Sequence, residues 1–171
     1  MLNKRIERLT SKILEDLKIE KLPIAVYKIA ESRGLNIKPY DLGEDISGVL
    51  VIEGGKGTIG FNPSESTVRQ RFTIAHELGH YELHKDGDDL FVDKNFKVLF
   101  RDHNSSSGEF LKEQEANAFA AALLMPETFV RKEIEKNIFD LTEEDSMKRL
   151  ARTFNVSVQA MTFRISNLGL F

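Results

Sequence analysis

Residues 71–80 are the most informative part of the sequence and read Arg71-Phe72-Thr73-Ile74-Ala75-His76-Glu77-Leu78-Gly79-His80. Its last five residues form an H-E-x-x-H motif. The preceding Asn62-Pro63-Ser64 breaks a strand, and either Ser64 or Ser66 could cap a helix that continues to about His84. We therefore expect the whole motif to lie inside one helix.

The spacing of the motif has a chemical consequence. Residues i and i+4 of a helix differ by about 40° of rotation, so His76 and His80 can bind one metal ion. Glu77 is rotated by about 100° from His76, which excludes it as a ligand but allows it to contact a water bound to the metal. The motif predicts a zinc peptidase site in which Glu77 is the general base. Gly79 costs about 1 kcal/mol relative to alanine in a helix interior, which indicates close approach of another backbone.

The third ligand must be a carboxylate or another histidine, because the sequence contains no cysteine. Three glutamates are candidates near a predicted helix over residues 110–124: Glu109, Glu113 and Glu115. Glu113 shares a helix face with small alanines, which would let two helices come close enough to share an ion, whereas Glu115 points about 200° away and is expected in solvent. We predict that Glu113 completes the site; the alternative is that Glu113 is a solvated glutamate.

Other polar residues could support these ligands. Asn117, one turn beyond Glu113, could accept a hydrogen bond from the outer nitrogen of a liganding histidine, or could simply cap or pack. His84, one turn beyond His80, could donate a hydrogen bond near the site or be a C-terminal charge favoured by the helix dipole. Tyr81 and His103 are weaker oxyanion candidates, and Tyr81 could equally serve packing.

Before the motif, the patterns predict two helices and a small sheet. Residues 3–18 have the periodicity of an amphipathic helix. A second helix is expected with Pro23 in its first turn and Gly34 as its stop. A strand at residues 36–40 and a hairpin over residues 49–62, around a glycine-rich turn, follow. We expect the strand from Thr58 to Phe61 to offer its edge to an extended substrate.

After the motif, a second short hairpin is expected from Leu90-Phe91-Val92 and residues 96–100, and residues 104–108 suggest a mobile loop. The helix from Phe110 to Leu124 should stop at Pro126. Of three further helices, one should be capped at Thr142 and the last should run from Ser157 to Gly169. The predicted architecture is α+β, a zincin-like core over residues 1–130 with a small antiparallel or mixed sheet packed on the motif helix, and a helical segment over residues 131–171 packed on that core.

Composition excludes several classes of protein. Hydrophobic residues make up 41% and charged residues 30% of the 171 residues, which is typical of a globular protein. The formal net charge of −3 gives no general attraction to a polyanion, so direct nucleic-acid binding is not expected. No apolar stretch approaches the ~18 residues that span a membrane, and a cytoplasmic location is expected.

The stretch over residues 71–80 has a second block downstream, and together they resemble the ImmA/IrrE family of metallopeptidases. That block reads Glu113-x-x-Ala116-Asn117-x-Phe119-Ala120-Ala121-x-Leu123-Leu124-Met125-Pro126. The resemblance extends more loosely to Leu22-Pro23-Ile24 and to Leu150-Ala151-x-x-Phe154-x-Val156-Ser157. It implies a gluzincin-like site in which His76, His80 and Glu113 bind zinc and Glu77 is the catalytic base. It also implies that the substrates are helix-turn-helix repressors of mobile elements or stress responses.

Two other classes of function stay open. A DNA-binding regulator is suggested by the helix, short turn and helix spacing from Leu150 through Met161 and Arg164, although packing of two helices or a docking surface for a repressor explains the same pattern. A metal-bound but inactive binding module, for example an antitoxin-like partner, would need the two histidines but not Glu77. Two imidazoles and a carboxylate also suit iron or manganese.

Overall fold

The computed structural model describes residues 2–87, 89–94, 107–137, 140–141 and 143–171. Over these residues the chain is α+β and mostly helical. Its elements, in chain order, are α1 (Leu2–Asp16), α2 (Val26–Ser32), β1 (Asn36–Pro39), β2 (Ile46–Glu53), β3 (Lys56–Phe61), α3 (Thr67–His84), β4 (Leu90–Lys94), α4 (Ser107–Leu124), α5 (Glu127–Asn137), α6 (Glu144–Phe154) and α7 (Val158–Asn167).

The chain folds into two compact units. One unit comprises Val26–Ala120 and contains the sheet, α3 and most of α4. The other combines Met1–Ala25 with Ala121–Phe171 and contains α1 and the C-terminal helices. The sequence suggests a boundary near residue 130 between the catalytic core and a helical C-terminal segment, and this boundary stays a prediction.

The sheet is mixed and has the strand order β1-β3-β2-β4. β2 and β3 form the expected hairpin, whose two-residue turn consists of Gly54 and Gly55, both with positive φ as such a turn requires. β1 pairs in parallel with β3. The expectation that the strand from Thr58 to Phe61 is an edge is therefore wrong, because β3 has a hydrogen-bonded neighbour on each side. In the described part of the sheet the edges are β1 and β4.

Helix α3 packs on β2 and β3 through a fully buried apolar layer that includes Leu50, Ile59, Ile74 and Leu78. Gly48 of β2 is part of this contact. A Cβ atom at Gly48 would lie 2.2 Å from Cγ2 of Thr73, so the strand and the helix can approach each other this closely only because residue 48 has no side chain. The sheet therefore contacts α3 at Thr73, in the helix turn that precedes His76.

The connection between β3 and α3 is held by polar contacts. The buried Asn62 side chain donates to the carbonyl oxygens of Gly43 and Ile46, at 2.6 and 3.2 Å, and its Oδ1 accepts from Ser64. Ser66 is the N-cap of α3, and its side chain accepts from the backbone N–H of Arg69. Of the two serines that the sequence offers, Ser66 is therefore the one that begins the helix.

Two predicted boundaries are wrong. Pro23 does not lie in the first turn of a helix, because α2 begins only at Val26. Ile24 and Val26 are both fully buried, and a spacing of two apolar residues fits an extended chain as well as a helix. Helix α4 begins at Ser107 rather than Phe110, so the last two residues of the loop predicted over residues 104–108 are helical; helix ends are weakly marked in sequence.

Other predictions fall where the structure gives no description. Residues 96–100 of the second hairpin, His103, residues 104–106 and the cap at Thr142 lie outside the described residues. The strand at residues 90–94 is present, and it pairs antiparallel with β2.

In the unit that contains the chain ends, α1 and α7 are joined by an ion pair. Arg164 is 6% exposed, donates to Glu7 with Nη2 at 3.0 Å from Oε2, and donates through Nε to the Met125 carbonyl at 2.9 Å. Ser157 caps α7, and Gly169 follows the helix with a φ of +63°. None of the helices in the described residues is long and apolar enough to cross a bilayer.

Candidate metal centre

Two helices of the Val26–Ala120 unit supply the predicted ligands. α3 carries His76 and His80, which are 2% and 1% exposed, and α4 carries Glu113. Gly79 lies where the two helices meet, and a Cβ there would be 3.2 Å from Cα of Ala116 and 3.1 Å from Cβ of Phe119. The glycine thus allows the close approach that places Glu113 beside both histidines.

The three side chains converge on one point. Oε1 of Glu113 is 2.9 Å from Nε2 of His80, and Oε2 of Glu113 is 3.2 Å from Nε2 of His76. The two Nε2 atoms are 3.1 Å apart. One ligand atom from each of the three residues lies within 4.8 Å of the other two. Of the three candidate glutamates, Glu113 is the one that the structure brings to the histidines.

This cluster fits a zinc ion in its chemistry and in its spacing. Nitrogen and carboxylate ligands about 2.0–2.1 Å from zinc, at tetrahedral angles, lie about 3.3 Å from one another. The two Nε2 atoms are 3.1 Å apart, close to that value, and each of them faces a different oxygen of Glu113, at 2.9 and 3.2 Å. Three protein ligands also leave a fourth position for water or substrate, as a catalytic site requires.

The charge state of Glu113 also suits a ligand. Burial acts to raise the pKa of its carboxyl, but hydrogen bonds from His76 and His80 and the charges of these rings outweigh burial and lower the pKa to about 2. The carboxylate is therefore ionised at neutral pH, which is the form that binds a metal.

Asn117 contacts His76 on the side away from the cluster. Oδ1 of Asn117 lies 3.0 Å from Nδ1 of His76. An amide oxygen only accepts, so this hydrogen bond requires a proton on Nδ1, and in the neutral ring the lone pair is then on Nε2, the nitrogen that faces the cluster. The sequence suggested that Asn117 could accept a hydrogen bond from the outer nitrogen of a liganding histidine, and the contact with Nδ1 of His76 has this form. The asparagine itself is exposed.

Glu77 follows His76 on α3 and is fully buried. Gly48 of β2 faces it, since a Cβ at residue 48 would lie 3.4 Å from Oε1 of Glu77. The sheet therefore limits where the carboxylate can lie, and Glu77 is not among the residues whose ligand atoms cluster.

His84 lies at the end of α3 and contacts a second glutamate. Its Nε2 is 3.3 Å from Oε2 of Glu115, and the two side chains are only 10% and 15% exposed. Burial lowers the pKa of His84, and Glu115 opposes that effect. The expectation that Glu115 lies in solvent is wrong. Helical rotation fixes the direction of Cβ but not the end of a long side chain, and both glutamates reach α3.

Phe91 of β4 covers the ring of His80. The two ring centroids are 4.5 Å apart with an angle of 21° between the planes, and Phe91 is 7% exposed. The His84 ring is tilted against the same phenyl group, with centroids 6.4 Å apart. Sequence analysis did not identify Phe91, because its only signal is its place in a short apolar run.

The remaining candidates do not join the cluster. Tyr81 packs near Gly57 of β3, and the Lys85 ammonium lies 4.9 Å from the centre of its ring. These contacts agree with the alternative in which Tyr81 serves packing. Glu109 lies in the first turn of α4 and is exposed.

Comparison with known proteins gives a family match over most of the chain. Residues 30–166 match the peptidase family model described as the IrrE N-terminal-like domain. Metallopeptidase ImmA of Bacillus subtilis is 28% identical over 146 residues, which are 85% of this chain and 78% of that protein. The radiation response metalloprotease IrrE of Deinococcus radiodurans is 34% identical over 108 residues, which are 61% of this chain and 29% of that protein.

Two further similarities are to a phage protein and to a solved structure. The uncharacterized immunity region protein 2 of Bacillus phage phi105 is 30% identical over 104 residues, 61% of this chain and 60% of that protein. A Mycobacterium tuberculosis transcriptional regulator superposes with a TM-score of 0.66 at 17% identity, over 95% of this chain and 46% of that one. At this identity the likeness is one of fold. The matches span less than half of the Deinococcus and Mycobacterium proteins.

Proposed function

This chain belongs to the peptidase family of the IrrE N-terminal-like domain, and we propose that it is a zinc-dependent endopeptidase with His76, His80 and Glu113 as ligands and Glu77 as general base. Family membership and relatives named ImmA and IrrE make it a metallopeptidase. The observation that carries the finer proposal is the convergence of three donor atoms from two helices beside a buried glutamate.

Zinc is the metal that we propose. Two imidazoles and one carboxylate suit several divalent ions, but two histidines and one glutamate whose ligand atoms lie within 4.8 Å of one another are typical of catalytic zinc. Zinc in such a site supplies Lewis acidity, which polarises a carbonyl and activates water for attack.

Glu77 moves the protons of the reaction in this proposal. It follows His76 directly on α3, so its carboxylate lies beside the cluster but on another helix face. From there it takes a proton from the attacking water and delivers it to the amide nitrogen that leaves. Its complete burial excludes bulk water, which strengthens its interaction with the reacting groups.

Two residues support the ligands in this proposal. Asn117 holds the His76 ring through its 3.0 Å contact with Nδ1. His84 lies next to His80, with ring centroids 5.7 Å apart, and its contact with Glu115 joins the C-terminal end of α3 to the middle of α4. We assign His84 this role between the helices rather than a role as a ligand, because it is not part of the three-residue cluster.

The arrangement that we propose for the catalytic part of the chain is zincin-like. The motif helix α3 packs on the sheet through β2 and β3, and the third ligand comes from the next described helix. Among the described strands, β4 is the edge nearest in structure to the site, since its Phe91 contacts His80. An extended peptide could add to β4 by backbone pairing, and this replaces the expectation for β3.

The substrate that we propose is a helix-turn-helix transcriptional repressor. This rests on the family resemblance, because the residues proposed for the metal site concern the reaction and not the sequence that is cut. A protein substrate is consistent with relatives whose names are metallopeptidase and metalloprotease. The cytoplasmic location stays a prediction.

A DNA-binding function is less well supported. α6 and α7 are joined by three residues, with Asn155 in the left-handed conformation, which is helix-turn-helix spacing. However, Arg164 is buried against Glu7 and Met125, so it cannot reach a phosphate. The exposed large apolar side chains of α7 are Val158 and Phe163, and the exposed Gln159 and Thr162 on this helix carry no charge. The other alternative is an antitoxin-like role without hydrolysis, and a cleavage assay with Glu77→Gln distinguishes it from a peptidase.

The test uses Glu77→Gln, with Glu109→Gln as the matched control for loss of an exposed carboxylate. Each zinc-loaded protein is incubated with a panel of purified helix-turn-helix repressors, and cleavage is followed by mass spectrometry. We expect wild type and Glu109→Gln to cleave, while Glu77→Gln keeps its zinc and cleaves about 10²–10⁴-fold more slowly. A zinc-loaded Glu77→Gln protein that cleaves at the wild-type rate would exclude Glu77 as the base.

A further inference from the structure

The two histidines of the cluster are held in different ways. His76 has a hydrogen-bonding partner at its outer nitrogen, Asn117, at 3.0 Å. His80 lies under the phenyl ring of Phe91, with centroids 4.5 Å apart and planes 21° from parallel. That separation is at the short end of the range for stacked aromatic rings. The contact therefore restrains rotation of the His80 ring about its side-chain bonds.

Phe91 also belongs to the sheet edge. Its strand, β4, pairs with β2 through the partners Leu50 and Phe91, and Leu50 is fully buried against α3. The side chain of Leu90 is 60% exposed, whereas Phe91 is 7% exposed. Because side chains alternate along a strand, Leu90 points outward and Phe91 contacts His80, a proposed metal ligand.

We propose that Phe91 is a positioning residue that holds His80 in its metal-binding orientation and so couples the order of edge strand β4 to occupancy of the metal site. This inference rests on the proposed function. Coupling is reciprocal: whatever stabilises β4 strengthens metal binding, and bound metal stabilises β4. A peptide that pairs with the β4 edge would therefore tighten the site at which it is cut.

The first measurement is zinc affinity, determined by competition with a chromogenic chelator in the absence of any peptide. Phe91→Leu keeps an apolar side chain but removes the ring, and Phe91→Tyr restores the ring. Leu90→Ala, on the same strand, is the control. We expect Phe91→Leu to bind zinc about 3- to 10-fold more weakly, with Phe91→Tyr and Leu90→Ala within about twofold of wild type.

A purely structural role of Phe91 would lower the stability of the zinc-free protein but leave the zinc affinity of the folded protein unchanged. The free energy of unfolding of each zinc-free variant is therefore measured beside its affinity. A folded Phe91→Leu protein with wild-type zinc affinity would overturn the proposal.

The second measurement is hydrogen exchange of the backbone amides of residues 90–92 in the wild-type protein, with and without zinc, which needs no variant to fold. We expect zinc to slow this exchange. If zinc binds and exchange at these amides is unchanged, the coupling is absent while the proposed function stands. If the wild-type protein binds no zinc, the proposed function and this inference both fail.

Discussion

Asn117 and His76 lie 41 residues apart in sequence, and Oδ1 of the asparagine meets Nδ1 of the histidine at 3.0 Å. This contact sets the tautomer of the ring and directs Nε2 towards Glu113, 3.2 Å away. It also joins α3 to α4 one turn beyond the carboxylate. The asparagine of the second sequence block therefore acts on the metal site through the ring of His76.

Removing this acceptor should weaken zinc binding. We predict that Asn117→Ala lowers zinc affinity by about 10-fold, the low end of the usual range for such partners, because the asparagine is exposed. Asn117→Asp keeps an acceptor and should stay near wild type. Chelator competition measures both, with the exposed Gln114→Ala on the same helix as control. Equal affinities for Asn117→Ala and wild type would show that the hydrogen bond does not orient the ring.

Gly48 should tolerate no side chain while Thr73 keeps its methyl group. A Cβ at residue 48 would lie 2.2 Å from Cγ2 of Thr73 and 3.4 Å from Oε1 of Glu77, so Gly48→Ala should cost about 1–3 kcal/mol and displace Glu77. In a Thr73→Ser background the methyl is gone, and the cost of Gly48→Ala should fall by about 1 kcal/mol or more.

Denaturant unfolding of the four proteins in this double-mutant cycle measures the coupling. Gly87→Ala is the control, since a Cβ there meets nothing closer than 3.6 Å. Additive effects of the substitutions at residues 48 and 73 would contradict the predicted clash.

The ion pair between Arg164 and Glu7 should stabilise the unit that contains both chain ends. Glu7→Gln removes the negative charge beside the 6%-exposed guanidinium and leaves the glutamine amide oxygen and the Met125 carbonyl as acceptors. Because the Glu7 side chain is 25% exposed, we predict a cost of about 2 kcal/mol, below the range of about 3–5 kcal/mol for fully buried pairs.

Such a loss corresponds to a fall in melting temperature of about 4–8 °C for a chain of this length. Calorimetry should detect it, while Glu15→Gln, an exposed position on the same helix, should melt like wild type. An unchanged melting temperature for Glu7→Gln would mean that the pair contributes nothing net to stability.

Sequence predicted local features better than pairings between distant segments. The choice of Glu113 rested on helix rotation, and the contacts of Glu113 with His76 and His80 agree with it. The same reasoning failed for Glu115, because side-chain length brings its carboxylate to His84.

The position of β3 inside the sheet could not be predicted, since strand periodicity does not report which strands are neighbours. Strands β1 and β3 pair in parallel although β2, the first strand of the hairpin, lies between them in the sequence. The stacking of Phe91 on His80 likewise depends on β4 reaching the sheet edge next to α3. Such contacts arise from the assembled sheet rather than from any local pattern.

The most direct test of the zinc site is the metal content of the purified protein, measured by mass spectrometry after exhaustive dialysis. Wild type is compared with Glu113→Ala and with Glu109→Ala, which removes an exposed carboxylate from the same helix. We predict close to one zinc ion per chain in wild type and Glu109→Ala, and far less in Glu113→Ala. Wild-type protein without metal, or Glu113→Ala with a full complement of zinc, would contradict the site that His76, His80 and Glu113 are proposed to form.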